Sequence, residues 1–498
     1  MGNEYEPLHQ KKAETKQKVG LLGCISLIVG TMIGSGIFAS TSNVFINAGS
    51  PGMALIVWTA SGILVALISL CYVEMGTMIP LSGGEYSYYS EAFGELPAFL
   101  FSYTSTLFLK PAQLAAILLA CGDYMTVPFF YNDCNTEERI IISKILASFL
   151  LGVVIFINCV SVRWATNIQI VFTAAKLITI TILVITGIVR LVQGFDNEFK
   201  NAFTGPDIQI SSIGYAFYGG LWAYDGWNTL NLATEDIKNP NRDLPLAIII
   251  GIPLVTGCYV LINAAYLTVL TSSEIARSNA LAVTMANRVY GKYAFLIPIF
   301  VAFSTVGAAN GTAFSGGRLA YVAARNNHLP KVLAMLHCEK QTPIPALTLT
   351  CILAWIMMIP DSSNFTTVMN YCNFVAWMMY GLTIVALLWL RFKRPNVKRP
   401  FKIFIGIPIF VLFFSVYLVV APFYENPLGS TYCLLVLSTG ILVYFLFIKY
   451  RIVPHFIMEF FDKFTRMVQM LANLYFPNTV VESYTQSNYE TIIEDTKI

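Results

Sequence analysis

Two glycine-rich segments contain the residues of this sequence best suited to bind a small polar molecule. Residues 30–38 read GTMIGSGIF, and residues 218–228 read YGGLWAYDGWN. Glycine inside a helix costs about 1 kcal/mol relative to alanine, so both clusters favour an interrupted helix. An interrupted helix exposes backbone N–H groups where its second half begins, and the helix dipole favours negative charge there.

A substrate carboxylate is the expected partner of these N–H groups. In the first segment the donors would be the N–H groups of Gly34, Ser35 and Gly36, together with the Ser35 hydroxyl. Carbonyl groups freed near residues 31–33 and 221–224 would accept hydrogen bonds from an ammonium group. The two segments therefore predict a receptor for the backbone of an α-amino acid. Each cluster alone also fits the alternative of close helix packing through small residues.

Asp225 is the most informative single residue, because an ionisable group inside a membrane span is costly and marks a functional site by default. An acid at this position could neutralise the side chain of a lysine or arginine substrate. Alternatively, Asp225 is a structural partner of Lys176 in predicted span five or of Lys110 in predicted span three. The neighbouring Trp222 either closes over the ligand as an aromatic gate or packs as an interface aromatic.

The composition places both segments in a lipid bilayer. The 498 residues are 56% hydrophobic and 12% charged, and the charged fraction is about half that of a typical soluble domain. This excludes a soluble enzyme, a nucleic-acid-binding protein and a secreted disulfide scaffold. The net charge of +3 indicates no polyanionic partner, and the four histidines, all in predicted loops or tails, form no metal or catalytic-triad pattern.

Apolar runs predict twelve transmembrane helices. Two of them lie between Val19 and Val73, where no charged residue or histidine occurs and the only interruption is the turn-like segment 47–52. Such long runs, without sustained alternation, exclude a β-barrel. The other ten predicted spans are 92–122, 140–161, 165–190, 209–233, 244–272, 293–318, 343–360, 365–391, 403–422 and 430–449.

Basic residues concentrate in the loops of one predicted face, so both termini are predicted to be cytosolic. The glycine-rich segments lie in spans one and six, which are matching positions of two five-span halves. That arrangement predicts an inverted-repeat transporter with its site at the bilayer midplane. The predicted parts are a cytosolic tail (1–18), a first repeat (19–190), an extracellular loop (191–208), a second repeat (209–391), spans eleven and twelve (392–450), and a cytosolic tail with an amphipathic helix (451–498).

These residues resemble the light-chain amino acid exchangers of the amino acid/polyamine/organocation superfamily, from roughly residue 18 to residue 450. The resemblance rests on 30–38, on 82–86 (SGGEY), on 223–228 (AYDGWN) and on 234–245 (TEDIKNPNRDLP). Within the family, the chain is most similar to the b-zero-plus type, the cystine and dibasic amino acid exchangers of epithelia. Neutral-preferring relatives usually carry glycine at the position of Asp225.

The resemblance implies an all-α membrane fold of the leucine-transporter type, with five-plus-five inverted repeats and broken helices one and six. It implies sodium-independent antiport by alternating access, in which extracellular cationic amino acids and cystine are exchanged for intracellular neutral amino acids. No cofactor or metal is expected. The implied substrate contacts are Gly34, Ser35 and Gly36 for the carboxylate, the backbone around Met32, Ile33 and Trp222 for the amine, and Asp225 and Asn228 for the side chain.

Two further residues take roles from the resemblance alone. Lys176 matches a fifth-span lysine that occupies the space where sodium sits in related carriers. Cys134, in the polar segment 131–138, matches the cysteine that forms a disulfide with a single-span glycoprotein heavy chain. The implied location is the plasma membrane, on the apical side in epithelia, although the C-terminal tail differs from that of the family.

Two other functions fit the residues. One is a neutral L-type exchanger in which Asp225 is structural, and the uptake of arginine against leucine separates it from the first hypothesis. The other is a receptor or channel that senses an amino acid without translocating it. Uptake stimulated by amino acid on the opposite side would exclude that second alternative.

Overall fold

The computed structural model describes residues 19–126, 129, 136–195, 197–205, 209–278, 280–360, 365–450, 452 and 455–477. Ten helical segments of this part are long and apolar enough to cross a membrane. Large apolar side chains such as Phe149, Ile178 and Phe413 stay exposed on the outside of the bundle, as expected where lipid replaces water. An all-helical membrane protein is therefore confirmed.

The first half of the chain contains the following helices: α1 (Leu21–Met32), α2 (Gly36–Ala39), α3 (Thr41–Ala48), α4 (Pro51–Met78), α5 (Glu85–Phe93), α6 (Glu95–Thr104), the π-helix Ser105–Leu109, α7 (Lys110–Thr126), α8 (Thr136–Val160), α9 (Val162–Val192) and α10 (Asn197–Lys200). The start of α4 follows from its sequence. The Ser50 hydroxyl accepts a hydrogen bond from the N–H of Met53, and Pro51 occupies the first helical position.

The second half contains α11 (Ile210–Ala223), α12 (Thr229–Leu232), α13 (Pro240–Val269), α14 (Ser272–Arg277), α15 (Leu281–Tyr290), α16 (Leu296–Arg325), α17 (Ile344–Met358), α18 (Phe365–Lys393), α19 (Gly406–Glu425), α20 (Pro427–Val443) and α21 (His455–Leu471). Short helical turns occur at Thr234–Asp236, Gly291–Phe295, Lys331–Ala334 and Tyr444–Lys449. Two short strands, β1 (Leu336–His337) and β2 (Leu474–Tyr475), pair antiparallel.

Both glycine-rich segments interrupt their helices. Residues 33–35 separate α1 from α2, and residues 224–228 separate α11 from α12. Two predicted spans are not among the ten long helical segments, because α11 has 14 residues before its break and α17 has 15 residues. The count of twelve spans and the inverted repeat therefore remain predictions.

Helix α16 extends past the predicted end of span eight at residue 318. The predicted span ends at Arg318, which is a charged residue. In the structure Arg318 is only 6% exposed and pairs with Asp236. The Nε and Nη2 atoms of Arg318 contact the two carboxylate oxygens of Asp236 at 2.8 and 3.0 Å. A bidentate pair of this kind lets a charged residue stay inside the bundle.

The same end of the bundle, which is predicted to be cytosolic, contains a second bidentate pair. Arg325 donates to both carboxylate oxygens of Glu235 at 2.9 and 3.2 Å. The Ser82 N–H also donates to Glu235, and the Glu235 N–H donates to the Ser82 hydroxyl. Burial would raise the pKa of Glu235, but the bonds and charge of Arg325 outweigh burial and hold this pKa below its usual value.

The start and the end of the described chain lie at this end of the bundle. The Val19 N–H donates to the Asp236 carbonyl at 3.0 Å, and the Lys238 N–H donates to the Val19 carbonyl at 2.9 Å. Strand β2 buries Leu474 against the connection between α16 and α17. Helix α21 forms within the stretch predicted to be an amphipathic helix, and its position on the inner membrane face stays a prediction.

Glu74 is a fully buried acid that joins α4 to the end of α18. It accepts hydrogen bonds from Arg391 and from the Ile403 N–H, the latter at 2.9 Å. By contrast, Arg394 pairs with Glu91 near the surface, where both side chains are more than 40% exposed. Similar arginine–glutamate pairs thus occur in two very different environments.

We expect Arg391→Met to destabilise the protein by about 3 kcal/mol, because it removes the nearest cation from the buried Glu74 and leaves only the Ile403 N–H and the Arg399 Nε, 3.6 Å away, beside this acid. The matched control, Arg394→Met, removes an exposed pair and should change stability by about 0–1 kcal/mol. Thermal unfolding of both variants in detergent measures the difference. Equal melting temperatures for the two variants would contradict the burial of Glu74.

Candidate functional site

The first break brings α2 into direct contact with the end of α11. A Cβ added at Gly36 would lie 2.5 Å from the Ala223 Cα, and one added at Gly34 would lie 2.6 Å from the Ala308 Cβ. Real Cβ atoms do not approach other atoms this closely, so only glycine fits at these two positions. Gly36 therefore lets α2 approach α11, and Gly34 lets the break approach α16.

The first break also leaves a set of hydrogen-bond donors unused. Among the described residues, no acceptor is found for the backbone N–H groups of Gly34, Ser35 and Gly36. The Ser35 side chain is 1% exposed, and its hydroxyl is buried without a hydrogen-bond partner. Buried polar groups in proteins are nearly always paired. This cluster of unpaired donors at the start of a helical segment is suited to an anionic oxygen.

The second break lies beside the first. Gly226 has φ of +103°, a conformation that side-chain-bearing residues rarely adopt, and a Cβ there would lie 2.4 Å from the Thr31 Cγ2. The Asp225 N–H donates to the Trp222 carbonyl at 3.1 Å, which turns the chain away from the helix axis. Trp222 itself is 6% exposed at the end of α11.

Tyr259 of α13 links the two breaks. Its hydroxyl lies 2.7 Å from the Met32 carbonyl and 2.6 Å from the Ala223 carbonyl. One hydroxyl hydrogen can serve only one of these acceptors at a time. The tyrosine therefore ties both helix ends together and leaves one carbonyl able to accept a further donor.

Lys176 occupies the carbonyl side of the first break. Its ammonium donates to the Gly30 carbonyl at 2.6 Å, to the Ser304 carbonyl at 3.0 Å and to the Ile33 carbonyl. The Ser304 hydroxyl also donates to the Ile33 carbonyl at 3.2 Å. The Ile33 carbonyl, which lies in the segment expected to offer free carbonyls, therefore already accepts from two donors, and the Met32 carbonyl accepts from Tyr259. These contacts also remove Lys176 as the direct partner of Asp225.

Asp225 is partly exposed and is held by two neutral donors. The Gln113 amide donates to its Oδ2 at 3.0 Å, and the Tyr380 hydroxyl lies 3.3 Å from its Oδ1. Lys110 donates to the Gln113 amide oxygen at 3.1 Å and so reaches Asp225 only through Gln113. No salt bridge of Asp225 occurs within the described part of the chain.

Asn228 connects the second break to a buried acid. Its Nδ2 donates to the Glu85 carboxylate at 2.7 Å, while its Oδ1 is buried without a partner. The Tyr72 hydroxyl also donates to Glu85, at 3.1 Å. Glu85 belongs to the SGGEY motif, but the sequence alone did not identify it as part of the site.

The structure brings most of the predicted site residues to the two adjacent breaks. Gln113, Tyr259 and Tyr380 were missed, because no local pattern distinguishes them from other residues of their helices. Gln113 offers one weak signal, since it is a polar residue one turn after Lys110. Cys134 lies outside the described residues. Nowhere in the described ranges do three or more His, Cys, Asp or Glu side chains form a group that could hold a metal ion.

Comparison with known proteins identifies the family. A family model described as amino acid permease matches residues 19–447. The b(0,+)-type amino acid transporter 1 of Homo sapiens is 46% identical over 442 residues, which cover 89% of this chain and 90% of that protein. The cystine/glutamate transporter of Homo sapiens is 40% identical over 474 residues, covering 95% of this chain and 93% of that protein.

A third relative is the large neutral amino acids transporter small subunit 2 of Rattus norvegicus. It is 40% identical over 467 residues, which cover 93% of this chain and 86% of that protein. These matches confirm the resemblance found in the sequence. Since they extend over nearly the whole of the described helical bundle, the chain belongs to the amino acid permease family.

Proposed function

We propose that this protein is an amino acid exchanger that takes up cationic amino acids and cystine and releases neutral amino acids. One observation carries the proposal. The first break contains unused hydrogen-bond donors at Ser35, and the adjacent break contains a partly exposed acid, Asp225. The relatives, which include a b(0,+)-type amino acid transporter and a cystine/glutamate transporter, support the same class of substrate.

The substrate backbone binds between the breaks in this proposal. Its carboxylate accepts hydrogen bonds from the N–H groups of residues 34–36 and from the Ser35 hydroxyl. Its ammonium group donates to carbonyls at the ends of α1 and α11. A carbonyl oxygen has two lone pairs, so Met32 can bind the ammonium group while it accepts from Tyr259.

Asp225 and Asn228 then face the substrate side chain. A carboxylate offers about four acceptor sites, so Asp225 can bind a cationic side chain while it keeps the bonds from Gln113 and Tyr380. Trp222, directly before this break, closes over the ligand. A neutral substrate uses the same backbone contacts and leaves Asp225 with its two internal donors.

Exchange proceeds by alternating access around this site. Opening towards the cytosol separates the pairs of Glu235 with Arg325 and of Asp236 with Arg318, since both join the turn after α12 to α16. The Lys176 Nζ already donates to the carbonyls beside the first break and so occupies the place that a sodium ion would need. The full proposal includes twelve spans in two inverted repeats, a plasma-membrane location with cytosolic termini, and a disulfide from Cys134 to a heavy chain.

A neutral L-type exchanger is the second candidate. It is favoured by one observation, namely that both oxygens of Asp225 already have internal partners. In that case the acid braces the second break and takes no part in substrate selection. The relative named as a large neutral amino acids transporter small subunit supports this class.

We expect Asp225→Asn to reduce arginine uptake by about tenfold or more, since a hydrogen bond to a charged group contributes roughly 1.5–3 kcal/mol. Leucine uptake should change by less than about twofold, because a neutral side chain makes no ionic contact. Initial rates in proteoliposomes measure both substrates, with Asp462→Asn, on the exposed face of α21, as control. Equal losses for arginine and leucine would make Asp225 structural and favour the second candidate.

We expect Gly36→Ala to abolish uptake of arginine and leucine alike, because the added methyl group collides with the Ala223 backbone and separates the breaks. Gly152→Ala is the matched control, since a Cβ at Gly152 meets no atom within 4 Å. Uptake is normalised to the amount of folded protein. A Gly36→Ala variant with wild-type uptake would show that contact between the breaks is not required.

We expect uptake of labelled arginine to be stimulated strongly by leucine on the opposite side of the membrane and to be unchanged when choline replaces sodium. The reason for the second expectation is that the Lys176 Nζ already donates to the carbonyls beside the first break, where a sodium ion would otherwise bind. Counterflow in proteoliposomes tests both points. Uptake without counter-substrate would refute obligatory exchange, and a requirement for sodium would refute the role of Lys176.

A further inference from the structure

Gln113 lies between an internal cation and the acid of the proposed site. The Lys110 ammonium donates to its Oε1 at 3.1 Å, and its Nε2 donates to Asp225 Oδ2 at 3.0 Å. Lysine can only donate hydrogen bonds and an ionised carboxylate can only accept them. The amide therefore has one satisfactory orientation, with its oxygen towards Lys110 and its nitrogen towards Asp225.

The local structure holds this arrangement in place. The π-helix Ser105–Leu109 ends directly before Lys110, and π-helical turns add a residue and often occur at functional sites. Gln113 follows one turn later and is 2% exposed, and Lys110 is 7% exposed. Gly316 of α16 packs against the Lys110 side chain. A Cβ added at Gly316 would lie only 3.3 Å from the Lys110 Cβ.

Lys110 is a cation that can compete with a cationic substrate for Asp225. Its ammonium has three N–H donors, and the side-chain hydrogen bond found for it among the described residues is the one to Gln113. Its charge also acts on Glu85, the buried acid bonded to Asn228. A direct ion pair between Lys110 and Asp225 would cancel the charge that a cationic substrate needs.

We propose that Gln113 is a specificity-determining residue that keeps Lys110 away from Asp225, so that Asp225 stays available to a cationic side chain. The proposal rests on the proposed role of Asp225 in selecting substrates. It assigns to α7 a part in substrate selection that the two breaks alone do not supply. Neutral amino acids, which need no charge at Asp225, do not depend on Gln113.

The first test is Gln113→Met, which keeps a similar side-chain length and removes both hydrogen bonds. Lys110 then pairs with Asp225, and the KM for arginine rises about tenfold or more while that for leucine stays within about twofold. Gln193→Met, at an exposed glutamine after α9, is the matched control and leaves both values unchanged. Counterflow in proteoliposomes provides the measurement.

Two more variants separate charge competition from loss of packing. In Gln113→Met/Lys110→Met the competing cation is absent, so arginine uptake recovers to within about threefold of the wild-type rate. Lys110→Met alone also keeps arginine uptake within about threefold of the wild-type rate, because no competing cation is then left for Gln113 to hold. A purely structural role for Gln113 and Lys110 predicts losses in both variants, so either loss overturns the proposal.

The outcomes also separate this proposal from the proposed function. If Asp225→Asn spares arginine, the proposed selection by Asp225 fails whatever Gln113 does. If Asp225→Asn selectively impairs arginine uptake and Gln113→Met does not, only the role of Gln113 is overturned. If Gln113→Met does not fold, the arginine uptake of Lys110→Met decides the question alone, since the proposal makes Lys110 only a competitor and a fall comparable to that of Asp225→Asn contradicts it.

Discussion

The structure depends on how the polar backbone groups of two interrupted helices are satisfied inside a membrane. Lipid offers no hydrogen bonds, so every freed N–H and C=O group needs a partner from the protein or from a ligand. At the first break the carbonyl side is served by Lys176, Ser304 and Tyr259. The donor side at residues 34–36 has no such partner among the described residues. This asymmetry is the physical reason to place a carboxylate there.

A very short segment connects the second break to two arginine pairs at one end of the bundle. Asp225 and Asn228 lie within the break, and Glu235 and Asp236 follow only two turns later. Those two acids hold α16 through arginine pairs, while Asn228 holds α5 through Glu85. In the proposed exchange cycle, a ligand that repositions this segment would act on both attachments.

The sequence predicted the features that glycine and charge encode locally. The two breaks follow from residues 30–38 and 218–228, where clustered glycines disfavour a continuous helix, and Asp225 follows from the cost of an acid in a membrane span. Local pattern also explains the amphipathic helix α21. The C-terminal end of α16 was predicted less well. A charged residue such as Arg318 usually marks the end of an apolar span, but here a bidentate pair with Asp236 stabilises it inside the bundle.

The partners of the site could not be predicted, because they come from distant helices. Tyr259, Gln113 and Tyr380 each lie in an apolar helix where a tyrosine or glutamine has many ordinary uses. Only the fold shows that Tyr259 reaches both breaks and that Gln113 stands between Lys110 and Asp225. The Ile33 carbonyl illustrates the same limit, since its partner Lys176 is distant in sequence.

The unpaired donors of the first break hold the carboxylate of an amino acid in the proposed complex. An experimental structure of the protein with arginine or leucine bound decides this point. We expect the substrate carboxylate within hydrogen-bond distance of the Ser35 hydroxyl and the Gly36 N–H. A substrate whose carboxylate lies away from residues 34–36, with those donors still unpaired, would refute the proposed binding mode.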